Sequence, residues 1–94
     1  MIRIIALAFT LTACAGEQIA PDAQTQLQAI AADYVNARML EEEFCPQSPK
    51  CEAVRTAGYR AEGSYVVAQG ARTASAINDA RAKVGEYSKA AGEL

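Results

Sequence analysis

Residues 52–91 read EAVRTAGYRAEGSYVVAQGARTASAINDARAKVGEYSKAA, forty residues without proline and rich in alanine. Within them Tyr59, Gly63, Val66, Gly70, Thr73, Ile77, Ala80, Val84, Tyr87 and Ala91 recur at alternating steps of four and three. That rhythm is the seam of a packed α-helix. The seam is thin, because glycine or threonine holds three positions near its middle, and each glycine weakens a helix by roughly 1 kcal/mol. Two all-α architectures follow. In one, a single long helix from about 50 to 91 folds back on an earlier helix as a hairpin. Its far half would then present Ile77, Val84 and Tyr87 as a seam for a partner. In the other, the chain turns near Gln69-Gly70-Ala71, with glycine past the helix end and Thr73 or Ser75 capping the next helix. A compact three-helix bundle results. The unbroken seam and missing proline favour the long helix.

Working back toward the N-terminus, Phe44-Cys45-Pro46-Gln47-Ser48-Pro49-Lys50-Cys51 is the clearest interruption. Pro46 ends the preceding helix, since the residue before proline is pushed out of α geometry. Ser48 reads as an N-cap, with Pro49 at the first position of the next helix. Before this break, Leu27, Ile30, Tyr34, Ala37 and Phe44 keep helical spacing, interrupted by Glu41. They predict an amphipathic helix of some twenty residues that starts at Pro21 and Asp22. Glu41-Glu42-Glu43 sits where the helix dipole disfavours negative charge, partly relieved by Arg38 one turn before Glu42. Three consecutive residues point in three directions, so this run is a solvated helix end and not a ligand set. Asp79 and Lys83 are spaced as a favourable pair on one helix face. Among the tyrosines, Tyr34, Tyr59 and Tyr87 fall on the seams and Tyr65 off them, which marks them as packing residues and not as a ligand cage.

The first fourteen residues have a different character. Met1-Ile2-Arg3 carries one positive charge, Ile4 to Leu11 is an uncharged apolar run of eight, and Leu11-Thr12-Ala13-Cys14 closes it. Spanning a bilayer takes about 20 apolar residues, so the run is a secretory signal and not a permanent span. The closing tetrad resembles a lipobox, the processing signal of bacterial lipoproteins. Leu11, Thr12 and Ala13 match its recognition positions and Cys14 its lipid acceptor. A plain signal cleaved near Ala13 or Ala15, with Cys14 incidental, is the alternative. The resemblance covers a processing class and specifies neither fold nor activity. It implies removal of residues 1–13, a diacylglyceryl thioether on Cys14 and acylation of the new amino group, palmitate being a typical chain. Two or more acyl chains suffice for stable anchoring. Ala15, where an inner-membrane retention signal would place Asp, implies an outer-membrane lipoprotein facing the periplasm. Residues 14–20 then form the lipidated N-terminus and a short tether, 21–91 the helical domain, and 92–94 a frayed end.

Removing thirteen of 94 residues leaves 81, with eight basic and eleven acidic side chains and a net charge of −3. So acidic a chain argues against nucleic acid and anionic lipid surfaces as partners, whereas a lipid anchor needs no basic surface. With Cys14 assigned to lipid, Cys45 and Cys51 remain as an even pair in an exported protein, which reads as a disulfide. Closing so short a ring is expected to contribute ~2 to 3 kcal/mol. There is no histidine and no second cysteine pair, so a metal site is not expected. Neither a GxSxG nor a Ser-x-x-Lys motif occurs, and no phosphate loop. The expectation is a non-enzyme without cofactor or small-molecule substrate, held at a membrane by its lipid and serving as a structural or interaction module. Two neighbouring expectations are a phage- or plasmid-derived lysis or exclusion lipoprotein and an accessory subunit that docks another envelope protein.

Overall fold

The computed structural model of the protein describes residues 18–94, and within them the fold is all-α with three helices. The expected signal segment, with Leu11, Thr12, Ala13 and the expected lipid acceptor Cys14, lies outside the described residues. Helix α1 spans Ala23–Phe44, α2 Cys51–Ala71 and α3 Ala74–Gly92. The chain runs up, down and up, and at 1.5 Å per residue each helix is roughly 30 Å long. No described helix is long and apolar enough to cross a membrane.

The long-helix expectation fails at Arg72. There the backbone turns left-handed (φ 57°, ψ 22°) while its N–H still bonds the Ala68 carbonyl, at 2.8 Å. Thr73 is extended (φ −87°, ψ 158°), and its hydroxyl accepts from the Ala76 N–H at 3.3 Å, capping α3. Two residues therefore reverse the chain. A left-handed arginine costs roughly 1–2 kcal/mol relative to ordinary helix geometry. What holds it is the N-terminal segment. Ala20 N–H donates to the Arg72 carbonyl at 2.9 Å, and Ile19 pairs with Thr73 in an antiparallel bridge. Ala20 is buried in consequence, so the end of the expected tether is docked on the bundle.

The core is built largely from alanine: Ala20, Ala23, Ala37, Ala61, Ala68, Ala80 and Ala91 join Leu27, Ile30, Val54, Ile77, Val84 and Tyr87. On α1 the apolar stripe lies where its spacing places it, except that Phe44 is exposed. On α3 the expected positions Ile77, Ala80, Val84, Tyr87 and Ala91 all point inward. The partner seam is thereby corrected: Ile77 and Tyr87 are 0 % exposed and Val84 2 %, covered by the bundle's own helices. On α2 the expected phase is wrong. Val54, Gly58, Ala61 and Ala68 face the core, with Tyr65 packed against it, whereas Tyr59, Val66 and Val67 are exposed.

Smaller corrections concern helix ends. Pro21, expected at the first helical position, precedes α1, which begins at Ala23 with Asp22 as its N-cap. Lys50 caps α2, two residues later than Ser48, whose hydroxyl instead accepts from the Lys50 N–H at 3.1 Å. α3 stays helical through Gly92 with Ala91 buried, and over the expected frayed end the Leu94 N–H bonds the Ala91 carbonyl at 3.3 Å and Leu94 packs against the core. Asp79 accepts from the Ser64 hydroxyl at 2.9 Å, a bond between α3 and α2 in place of the expected pair with Lys83.

Between α1 and α2, Cys45–Gln47 form one 3₁₀ turn with Pro46 near its start. Cys45 and Cys51 are joined as expected, Cα to Cα 4.8 Å. The crosslink ties the last turn of α1 to the first of α2. Replacing both cysteines by serine should lower stability by ~2 to 3 kcal/mol. Urea midpoints of the double variant and the parent, compared with and without reductant, check this. An unchanged midpoint would show that the ring contributes nothing.

Candidate functional site

The α1–α2 contact is the least extensive of the three helix pairings, and a cleft opens along it near the disulfide. From α1 it receives Tyr34, Arg38 and Glu41, and from α2 Arg55, Gly58, Tyr59 and Glu62. Steps of three and four put each set on one helix face. Tyr87 of α3 closes the floor, and the cleft measures about 230 Å³.

Tyr87 organises the arrangement. Its buried ring lies 5.5 Å from that of Tyr34, tilted by 49°. Its hydroxyl donates to Glu41 Oε1 at 2.6 Å. Glu41 breaks the apolar stripe of α1 because it serves as this acceptor. Burial first, then the bond to Glu41 and that group's negative charge, pushes the Tyr87 phenol well above its ordinary pKa of 10.0. The phenol is thus held as a neutral donor. Arg38 Nη1 donates to the Tyr34 hydroxyl at 3.3 Å, and its Nε lies 3.5 Å from Glu42 Oε1. The Tyr34 bond, ahead of other influences, raises the Arg38 pKa further above its usual value. Both partners of the Arg38–Glu42 pair are exposed, so the pair adds little stability. Across the cleft, Arg55 Nη2 donates to the Cys51 sulfur at 3.4 Å.

Gly58 makes the cleft possible. A Cβ there would stand 3.0 Å from Tyr87 Cε1, 3.1 Å from Cζ and 3.4 Å from Glu41 Oε1. Since the Tyr87 ring is fully buried, it has little room to retreat. Gly58→Leu should therefore cost ~1–3 kcal/mol by overpacking, although leucine is the better helix former. At Gly63 a Cβ meets nothing within 4 Å, so Gly63→Ala should stabilise by about 0.5–1 kcal/mol. Thermal melts of the two variants should move in opposite directions. A rise in both would show that position 58 is not crowded.

Chemically, the cleft offers two guanidinium groups, two carboxylates and tyrosine hydroxyls, a lining suited to hydrogen-bonding a polar partner. Among the described residues no cluster of His, Cys, Asp or Glu is placed to hold a metal ion. The three adjacent glutamates diverge: Glu41 turns to Tyr87, Glu42 to Arg38, and Glu43 is exposed. Of the expected site residues, the structure joins Cys45 to Cys51 and places Ile77 and Val84 in the core. Tyr87 also lies in that core, yet forms the floor of the cleft. Sequence reasoning did not find the cleft. Its traces were Glu41 inside an apolar stripe and a glycine in mid-helix. Comparison with known proteins finds no family model, no curated protein and no solved structure that this chain matches.

Proposed function

We propose that the protein is a small, non-enzymatic, lipid-anchored lipoprotein of a bacterial envelope that acts as an interaction module. Cysteine bookkeeping carries this reading. The chain has three cysteines, and Cys45 and Cys51 are joined to each other. The one left over is Cys14, at the acceptor position of the lipobox-like Leu11-Thr12-Ala13-Cys14. A crosslink in a small helical domain also agrees with an oxidising compartment such as the periplasm.

With Ile77, Val84 and Tyr87 in the core, the interaction surface moves to the polar cleft between α1 and α2, where Arg38, Arg55 and Glu62 meet a partner. Ala15 after the acceptor supports outer-membrane sorting. Cys14→Ser is expected to move the protein from the membrane to the soluble fraction and to abolish incorporation of labelled palmitate. Unchanged fractionation of that variant would refute the anchor.

A further inference from the structure

Charge is distributed very unevenly along the bundle. In segments 18–32 and 63–78 the only charged residues are Asp22 and Arg72. Every other charged side chain of residues 18–94 lies in 33–62 or 79–94. On the up-down-up path the two sparse segments meet at one end, where α1 begins and α2 turns into α3. The charged segments make up the disulfide end. Both halves expose apolar side chains, but Val35, Met39, Phe44 and Tyr59 lie in the charged segments, whereas Ile19 at 66 %, Val66 at 58 % and Val67 at 61 % lie in the sparse ones. Val66 and Val67 lie within six residues of the end of α2, less than ~9 Å along its axis.

The N-terminal segment joins the bundle at this same end. The Ile19–Thr73 bridge and the Ala20–Arg72 hydrogen bond fix the point of entry beside the α2–α3 turn. From Cys14 to Ile19 is five residues, which reach at most ~18 Å.

We infer that the charge-poor end of the bundle rests on the lipid bilayer, with Ile19, Val66 and Val67 at the headgroup boundary and the disulfide end pointing away. The inference rests on the lipid-anchor reading of Cys14 and adds an orientation to it. A membrane interface accepts apolar and uncharged polar side chains to a depth of roughly 5–10 Å. Glutamine, serine, threonine and alanine supply most of the rest of this end, so Asp22 and Arg72, one of each sign, are the charges among residues 18–94 that lie near the contact. The bridge at Ile19 thus places the point nearest the anchor at the lipid-facing end of the bundle. The polar cleft, near the opposite end, stands clear of the bilayer and open to the periplasm.

The chain has no tryptophan, so a single introduced one reports its own position. Val67→Trp marks the near end and Phe44→Trp, at the exposed last residue of α1, the far end. Val66→Trp is a second near-end reporter should Val67→Trp lose its helicity. Each variant, purified from membranes in processed form, is reconstituted into phosphatidylcholine–phosphatidylethanolamine vesicles with plain or brominated acyl chains. Near-end emission is expected to shift to the blue and to lose most of its intensity with brominated chains, while Phe44→Trp does neither. Flotation with the vesicles but equal quenching at both ends, or quenching at neither, overturns the orientation and leaves the anchor standing. Failure to float at all overturns the anchor and the orientation together. A blue shift without quenching, in particles of dimer mass, overturns the lipid contact in favour of a second copy of the chain.

Discussion

Ile77→Asp is expected to abolish cooperative folding of the domain. The side chain is 0 % exposed in the core, one turn into α3, and the other buried residues of the bundle are mostly alanine. A carboxylate placed there has to be desolvated without a built-in partner, or be held protonated, at a cost of several kcal/mol. Total stability for a domain of this size is on the order of 5 kcal/mol, so one such substitution consumes most of it. Val84→Asp should behave alike. Met39→Asp, at a residue 60 % exposed on α1, should stay within about 0.5 kcal/mol of the parent. Far-ultraviolet circular dichroism with a thermal melt separates the cases. A helical, cooperatively melting Ile77→Asp protein would show that the α3 face is open to a partner after all.

Tyr87 carries the second large effect. Tyr87→Ala removes the ring that touches α1 and α2 and should cost ~3–5 kcal/mol. Tyr87→Phe keeps the ring but leaves Glu41 without its donor. Because Glu41 is half-buried beside an open cleft and regains water, the cost falls to about 1–2 kcal/mol. The two substitutions differ further in alkali. In the folded state the Tyr87 phenol binds its proton more tightly than in the unfolded chain, whose value is near 10.0. Its contribution is therefore complete below pH 10 and is lost as the pH rises from there toward the raised folded value. The parent should lose stability steeply in that window, and Tyr87→Phe should flatten the loss. Urea midpoints at pH 8 and pH 11 test it: parallel declines in the two proteins would mean that the phenol does not titrate as described.

The α1 and α3 faces were legible in the sequence because large residues mark them: Leu27, Ile30 and Tyr34 in one, Ile77, Val84 and Tyr87 in the other. Helix α2 inverts the usual signal. Its inner face is Val54, Gly58, Ala61 and Ala68, small residues that allow close approach, while Tyr59, Val66 and Val67 lie outside. Hydrophobicity therefore selected the wrong phase, and the error carried a false seam across Arg72 into the true one of α3. The turn itself was ambiguous for a related reason. Gly70 is the natural terminator by type, yet Arg72 takes the left-handed position, held by hydrogen bonding to a segment about fifty residues earlier. Only tertiary contacts settle such a choice. The cleft was hidden more deeply, since Tyr34, Glu41, Gly58 and Tyr87 come from three helices and share no local pattern. The disulfide, by contrast, followed from counting.

The alanine-built core has a thermal consequence. Alanine withdraws little apolar surface from water, and the heat-capacity increment of unfolding scales with that surface. For this domain the increment should fall toward or below the low end of the usual ~12–15 cal/mol/K per residue. A small increment flattens the curve of stability against temperature. The bundle then changes little in stability across a wide thermal range, losing it gradually on warming and resisting cold.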